Sequence, residues 1–290
     1  MRKSLLITSI IFSKNRPLQL DLCLKSIKKN FKQSNKNIVI CNNDEEFDEA
    51  HRTLKNEHSD VVFWNQSDSL FHDINKMVKL ACNDYICFFV DDCICFNKVD
   101  LPQDIFNIPE ICCFSLRLGK NISQRMHDNK AYADKPYSHG LDSTEKYMFW
   151  NKTSYCYGSY WSYSHSVDGH IFKKSDMQKI TSELWELSEF KNWKQTPNEF
   201  ESAIQRFWPL SPPLMVCPVE SCVVNSPNNK VQKSHDNRSG DVFDYDEKKL
   251  LEKYNSGLRI DIEETCAYLR LPFNKIKSPH TEIDILKGLK

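Results

Sequence analysis

The sequence predicts an α/β fold: a Rossmann-like, mixed but mainly parallel sheet flanked by helices. Three observations carry this. Four short apolar runs alternate with three helical segments before residue 93. One run, Tyr85-Ile86-Cys87-Phe88-Phe89-Val90, is unbroken by any polar residue, as in a strand buried on both faces. Each run ends in polar residues, and open α/β sheets bind ligands beyond the carboxyl ends of their strands.

In chain order, Leu5 to Phe12 is the first strand, and Ser13-Lys14-Asn15-Arg16-Pro17 is the turn after it. Pro17 suits the first turn of a helix, and Leu18, Leu20, Leu22, Leu24 and Ile27 give that helix its apolar residues. Ile38 to Cys41 is the second strand, ending in Asn42-Asn43-Asp44, and Glu45 to His58 is a polar helix. Val61 to Trp64 is the third strand, ending in Asn65-Gln66; Leu70, Ile74, Met77, Val78 and Ala81 then recur at helical spacing. The fourth strand stops at Asp91-Asp92. Two carboxylates at a strand end are hard oxygen ligands, suited to Mg²⁺ or Mn²⁺ with substrate phosphate. They are equally suited to capping a turn.

After Phe96 the regularity breaks. Ile111 to Leu118 is a further strand, and Gly119 to Met148 is a long polar loop. Phe149 to His165 is aromatic-rich, fit to pack a core or stack on sugar faces. Val167 to Lys174 returns to the sheet, and Ser175-Asp176 starts a helix. Thr196-Pro197-Asn198 opens another helix, with Glu199 and Glu201 near its start as dipole partners or as a general base. Met215 to Pro218 and Ser221 to Asn225 are late strands. Asn228 to Gly240 is a polar loop with His235, and helices follow over Glu247–Tyr254 and Ile260–Tyr268. The basic tail beyond Pro272 is expected to be loosely ordered. Residues 1–235 form one domain, with a nucleotide-binding half (1–97) and an acceptor half (98–235); residues 236–290 are a helical extension packed on it.

The 39 basic and 39 acidic residues cancel, so total charge gives no sign of a nucleic-acid partner. The twelve cysteines show no paired CxxC spacing and several lie in apolar runs, which reads as reduced thiols in a cytoplasmic protein. The basic then apolar start resembles a signal peptide, but Lys14-Asn15-Arg16-Pro17 stands where a cleavage site would be, so a core strand is preferred. No run reaches the roughly 20 apolar residues of a membrane span, which leaves peripheral association as the form of membrane contact. Neither GxGxxG nor GxxxxGK[ST] occurs.

Four segments together resemble the GT-A class of nucleotide-sugar-dependent glycosyltransferases, family 2-like in character: Ser9 to Leu18, Phe88 to Cys93, Asp168 to Phe172, and Pro197 to Glu201. The resemblance covers roughly residues 5–235. It implies a nucleotide-diphosphate sugar donor held by Phe12, Ser13, Asn15, Arg16, Asn42, Asn65, Asp91 and Asp92. It implies Mn²⁺ or Mg²⁺ on Asp91 and Asp92, with His235 as a late-loop ligand. Trp161, Asp168, Gly169 and His170 fall on the acceptor side, toward a saccharide or glycolipid. Glu201, or else Glu199, is the base of an inverting transfer. One departure stands out: Cys93 occupies the third position of the acidic element, where the class carries Asp. A soft thiolate is a poor Mg²⁺ or Mn²⁺ ligand, which keeps open a decayed nucleotide-sugar-binding protein. A nucleotidyltransferase is the other alternative, against which the turn after the first strand lacks glycine.

Overall fold

The computed structural model describes residues 5–124, 146–156, 159–187, 195–231, 240–271 and 276–290. The nucleotide half alternates as the sequence predicts: β1 (Ile7–Ser13), α1 (Pro17–Asn30), β2 (Ser34–Cys41), α2 (Asp48–Glu57), β3 (Val62–Asn65), α3 (Leu70–Leu80) and β4 (Tyr85–Val90). There follow β5 (Cys93–Cys95), β6 (Ile111–Ser115), β7 (Tyr147–Asn151), β8 (His170–Lys173), α4 (Lys174–Glu186), α5 (Pro197–Ile204), β9 (Leu214–Pro218), β10 (Val223–Asn225), α6 (Glu247–Asn255) and α7 (Ile262–Arg270).

The main sheet has the order β3-β2-β1-β4-β8-β6-β9-β7. Strands β1 to β4 pair parallel, as do β6 and β9. β8 runs antiparallel between β4 and β6, and β7 antiparallel beside β9. The reversal of β8 matters for the site. Residues preceding an antiparallel strand lie at the edge where the parallel strands end. Gly169 N–H donates to Phe88 O at 2.7 Å, and Leu116 N–H to Gly169 O at 2.9 Å. Asp168, just before β8, and Arg117, just after β6, therefore meet beside the end of β4.

Strand β4 is apolar throughout and β1 mostly so, because both are covered on both faces; Ile10, Ile11, Ile86, Phe88 and Phe89 are all fully buried. Phe200 on α5 packs against the rings of Phe12, Phe71 and Phe88 at 6.3, 5.7 and 5.6 Å between centroids. That aromatic contact pins α5 over the ends of β1 and β4.

Three expectations change. The Gly119–Met148 loop ends early, because Tyr147–Asn151 is the edge strand β7; its alternating pattern pairs with β9. The tail is not loose: over 276–290, Ile276, Ile283 and Ile285 are buried, Asn225 N–H donates to Pro279 O, and Thr281 N–H donates to Asn225 O. The start of the late loop is buried too, at Asn228 and Asn229. Residues 232–239, with His235, lie outside the described residues.

Candidate functional site

A cleft of about 470 Å³ opens at the carboxyl edge of the sheet. Phe12, Ser13, Arg16, Asn42, Asp91, Asp92, Asp168 and Glu201 all line it, as the sequence suggests. Main-chain bonds continue the strands into its floor: Asp91 N–H donates to Phe12 O at 3.0 Å and Asn42 N–H to Ser13 O at 2.9 Å.

The acidic pair is not open. Arg16 Nη1 donates to Asp91 Oδ1 at 3.0 Å and to Asp92 Oδ2 at 2.8 Å. Lys14 N–H donates to Asp91 Oδ2 and Asn225 Nδ2 to Asp92 Oδ1, at 3.0 and 3.2 Å. Each of the four carboxylate oxygens thus has a donor. Burial pushes the Asp91 carboxyl up, against the pull of Arg16. On these contacts a divalent ion at the pair would have to share its oxygens with the Arg16 guanidinium or displace it. Among the described residues the one His/Cys/Asp/Glu group close enough to share an ion is Asp21, Glu57 and His58, and none of these lines the cleft. Its oxygens are engaged as well: Asp21 accepts from Lys25 and lies 2.9 Å from His58 Nε2, and Glu57 accepts from Arg259.

Cys93 is likewise no ligand. It is buried in β5, paired through the β5–β10 ladder, and burial raises its thiol well above the usual range. The third position of the acidic element does not line the cleft.

Across the cleft, Arg117 Nη1 donates to Asp168 Oδ2 at 2.6 Å, and His280 Nε2 lies 3.6 Å from the same carboxylate. Despite its burial, Asp168 is held well below the usual carboxylate range, chiefly by the Arg117 charge. Glu201 has the opposite fate. Its Oε1 accepts from Ser166 Oγ at 2.8 Å and Val167 N–H at 3.0 Å, yet desolvation and the neighbouring Asp168 charge raise it from 4.5 to about 7. Two carboxyls pushed apart in this way separate into a permanent anion and a proton acceptor near neutrality.

Glu199 plays a different part. Its Oε2 accepts from Thr196 N–H and Oγ1 at 2.7 and 2.8 Å, completing a capping box at the start of α5. Of the other predicted contacts, Asn15 does not line the cleft. It adopts φ +54° and ties to Asp44 through Nδ2 at 2.6 Å, joining the loops after β1 and β2. Asn65 lies outside the cleft, and Gln66 lines it instead. Trp161 is fully buried with its ring 5.3 Å from Trp150, so its role is in the core. Gly169, at φ +72°, provides the turn into β8. His170 is buried on Ser164 O, and burial lowers it to about 3.

The sequence reading missed Arg117, Lys230 and His280, which line the cleft, and it offered Tyr160 and Tyr163 only as part of the aromatic-rich 149–165 segment and Asn225 only as the end of a late strand; these three line the cleft too. Arg117 had a signal: a guanidinium inside Phe114-Ser115-Leu116-Arg117-Leu118 needs a buried partner. His280 had none, since only the packing of the tail brings Ser278-Pro279-His280 to the site.

All twelve cysteines are free thiols. No helix among the described residues is long and apolar enough to cross a membrane.

No family model matches the chain. The chain is 24% identical over 207 residues to the bifunctional glycosyltransferase pgtA of Dictyostelium discoideum, covering 66% of this chain and 27% of that protein. It therefore spans about a quarter of the length of the curated relative. Among solved structures it is similar to residues 1–349 of S. aureus TarS in complex with UDP (11% identity, TM-score 0.45, 73% of this chain and 57% of that one). It is also similar to the mannosyltransferase PcManGT of Pyrobaculum calidifontis in complex with GDP-Man and Mn²⁺ (14%, TM-score 0.30, 42% and 41%). The resemblance to GT-A glycosyltransferases seen in the sequence thus has a counterpart in a curated glycosyltransferase of related sequence.

Proposed function

We propose that the chain transfers a glycosyl group from a nucleoside-diphosphate sugar to a hydroxyl acceptor, with inversion, and that Glu201 is the base. The observation that carries this is Glu201 itself. It lines the cleft, is fixed through one oxygen by Ser166 and Val167, and has a carboxyl poised near 7. A base with that value is about half ionised at neutral pH, where general base catalysis is most effective.

The nucleoside lies over Phe12, Ser13, Asn42 and Gln66, at the ends of the first strands. Lys14 and Lys230 line the same cleft and supply positive charge for the diphosphate. The acceptor, a saccharide or a glycolipid headgroup, enters beside Tyr160 and Tyr163, whose rings can lie against a sugar face. Glu201 takes the proton of the acceptor hydroxyl as its oxygen attacks the anomeric carbon. The C–O bond to the diphosphate breaks, and the nucleoside diphosphate leaves with the bonding pair. Arg117 keeps Asp168 ionised, and the fixed Asp168 charge keeps Glu201 basic enough to accept that proton.

The test is a donor screen. UDP-, GDP-, CMP- and dTDP-sugars are added singly, and the unfolding midpoint is followed, since a ligand that binds the native state raises it. The expected result is one nucleotide class that shifts the midpoint and is slowly hydrolysed without acceptor. No shift with any of them would refute the reading.

A further inference from the structure

We propose that Arg16 is the resident cation of this cleft, and that Asp91 and Asp92 work as its counter-ions rather than as ligands of a divalent metal. The substance of the inference is a contact. A single nitrogen, Arg16 Nη1, bridges the two carboxylates at 3.0 and 2.8 Å. That is the position a shared cation would take.

Arg16 is not a side chain resting there by chance. It is buried, and its other donors are committed elsewhere: Nε to Asn229 Oδ1 at 2.9 Å and Nη2 to Asn229 O. Gln19 Nε2 holds the same Asn229 Oδ1 at 3.1 Å. The guanidinium is thereby clamped between the end of β4 and a loop more than two hundred residues away in sequence. For an ion to take both carboxylates, Arg16 has to leave. Its departure would break the link to Asn229 and uncover the loop that carries Lys230. Mg²⁺ and Mn²⁺ do not compete easily for such a pair, since Mg²⁺ demands near-octahedral oxygen geometry and gives up water reluctantly. A planar guanidinium, always charged, fits two carboxylates with little reorganisation.

The charge inventory agrees. Four acids line the cleft (Asp91, Asp92, Asp168, Glu201) and so do four strong bases (Lys14, Arg16, Arg117, Lys230). Glu201, protonated about half the time near neutrality, tips that balance toward positive. Such a cleft receives an anionic diphosphate without an added ion, whereas a site built around a divalent cation has carboxylate in excess. Arg16 then has two consequences. It offsets the charge of the two carboxylates in advance, and it makes binding indifferent to chelators.

The inference rests on the transferase reading only for what is bound, so metal and nucleotide are measured separately. Mn²⁺ alone is titrated into the wild-type chain and followed by electron paramagnetic resonance. No saturable site tighter than about 1 mM is expected. A tighter site that Asp92→Asn abolishes would overturn the proposal. UDP and GDP are then tested by thermal shift with EDTA or with Mn²⁺. Equal shifts under both conditions support Arg16, and a shift that disappears with EDTA overturns it. If neither nucleotide shifts the midpoint, the transferase reading is decided by the full donor screen, and the Mn²⁺ titration still decides the role of Arg16. Arg16→Met adds a gain-of-function arm: with the guanidinium gone, Mn²⁺ should bind at least tenfold tighter than to wild type. A folded Arg16→Met chain with no such gain would show that Arg16 was not the occupant excluding the ion. If that variant does not fold, the wild-type titration is sufficient.

Discussion

Replacing Glu201 by Gln separates chemistry from stability in a way few other changes here can. The amide keeps an oxygen for Ser166 Oγ and Val167 N–H, so the local hydrogen bonds survive. What it removes is the ionisation. In the folded chain the carboxyl holds its proton up to about 7, and in the unfolded chain only to the ordinary 4.5. Between those values the folded state binds more protons, so wild-type stability must fall as pH rises. Below about 4.5 both states are protonated and the penalty is absent; above about 7 it is fully developed. At about 1.4 kcal/mol per pKa unit, the interval corresponds to up to about 3 kcal/mol. Gln carries no such penalty. Thermal melts of both chains from pH 4 to pH 9 should coincide at the acid end, diverge between about 4.5 and about 7, and stay apart above that. The variant should gain several degrees there, taking about 2–4 °C per kcal/mol for a chain of this size class. Over the same range its transfer rate should be about 10²–10⁴ lower, the usual share of a general base. Wild-type activity should rise through about pH 7 and level off. Parallel melting curves would show that Glu201 is not perturbed. Full turnover by the variant would show that it is not the base.

Three further outcomes are expected. Asp168→Asn leaves Arg117 buried without its nearest charge, which should cost about 3–5 kcal/mol by urea unfolding at neutral pH; a loss below about 1 kcal/mol would contradict the pairing. Because the Asp168 carboxyl is depressed, its contribution is present above the ordinary 3.8 and is lost as pH falls below that, so wild type and Asp168→Asn should converge in acid. Removal of residues 276–290 takes away His280 and the backbone partners of Asn225; it should lower the melting point and abolish nucleotide-induced shifts, and an unaltered shift would place the tail outside the site. Trp161→Ala should destabilise by about 3–5 kcal/mol as a core truncation, with little change in acceptor KM where the protein remains folded; a KM effect without destabilisation would restore Trp161 to the acceptor side.

The sequence alone determined the layout that brings the site into being. Runs such as Tyr85–Val90 mark their strands because an unbroken apolar run of that length suits a strand buried on both faces. Polar residues at Ser13, Asn42 and Asp91 mark the edge because every parallel strand ends on the same side. Thr196-Pro197 and Glu199 wrote the start of α5 as a local capping signal, and Phe200-Glu201 followed from it. Local physics also explains the errors near by. Glu199 and Glu201 are two residues apart and chemically identical, and only the direction in which each side chain leaves the helix makes one a cap and the other a cleft carboxyl.

Tertiary structure decided which charges meet. Arg16 and Asn229 are 213 residues apart in sequence, and Arg117 and His280 are 163 apart; no period or motif relates them. Whether Asp91 and Asp92 hold an ion or a guanidinium depends on where Arg16 turns after β1, which Gln19 and Asn229 settle through packing. Cys93 reads as a defective ligand in the sequence, because its neighbours are acids. In space it is a core residue of β5, because the chain turns at Asp91-Asp92 and pairs next with β10. Strand identity is written in a residue's nearest neighbours, whereas the ionisation of a buried carboxyl is set by whatever charge the fold carries to within a few ångströms of it.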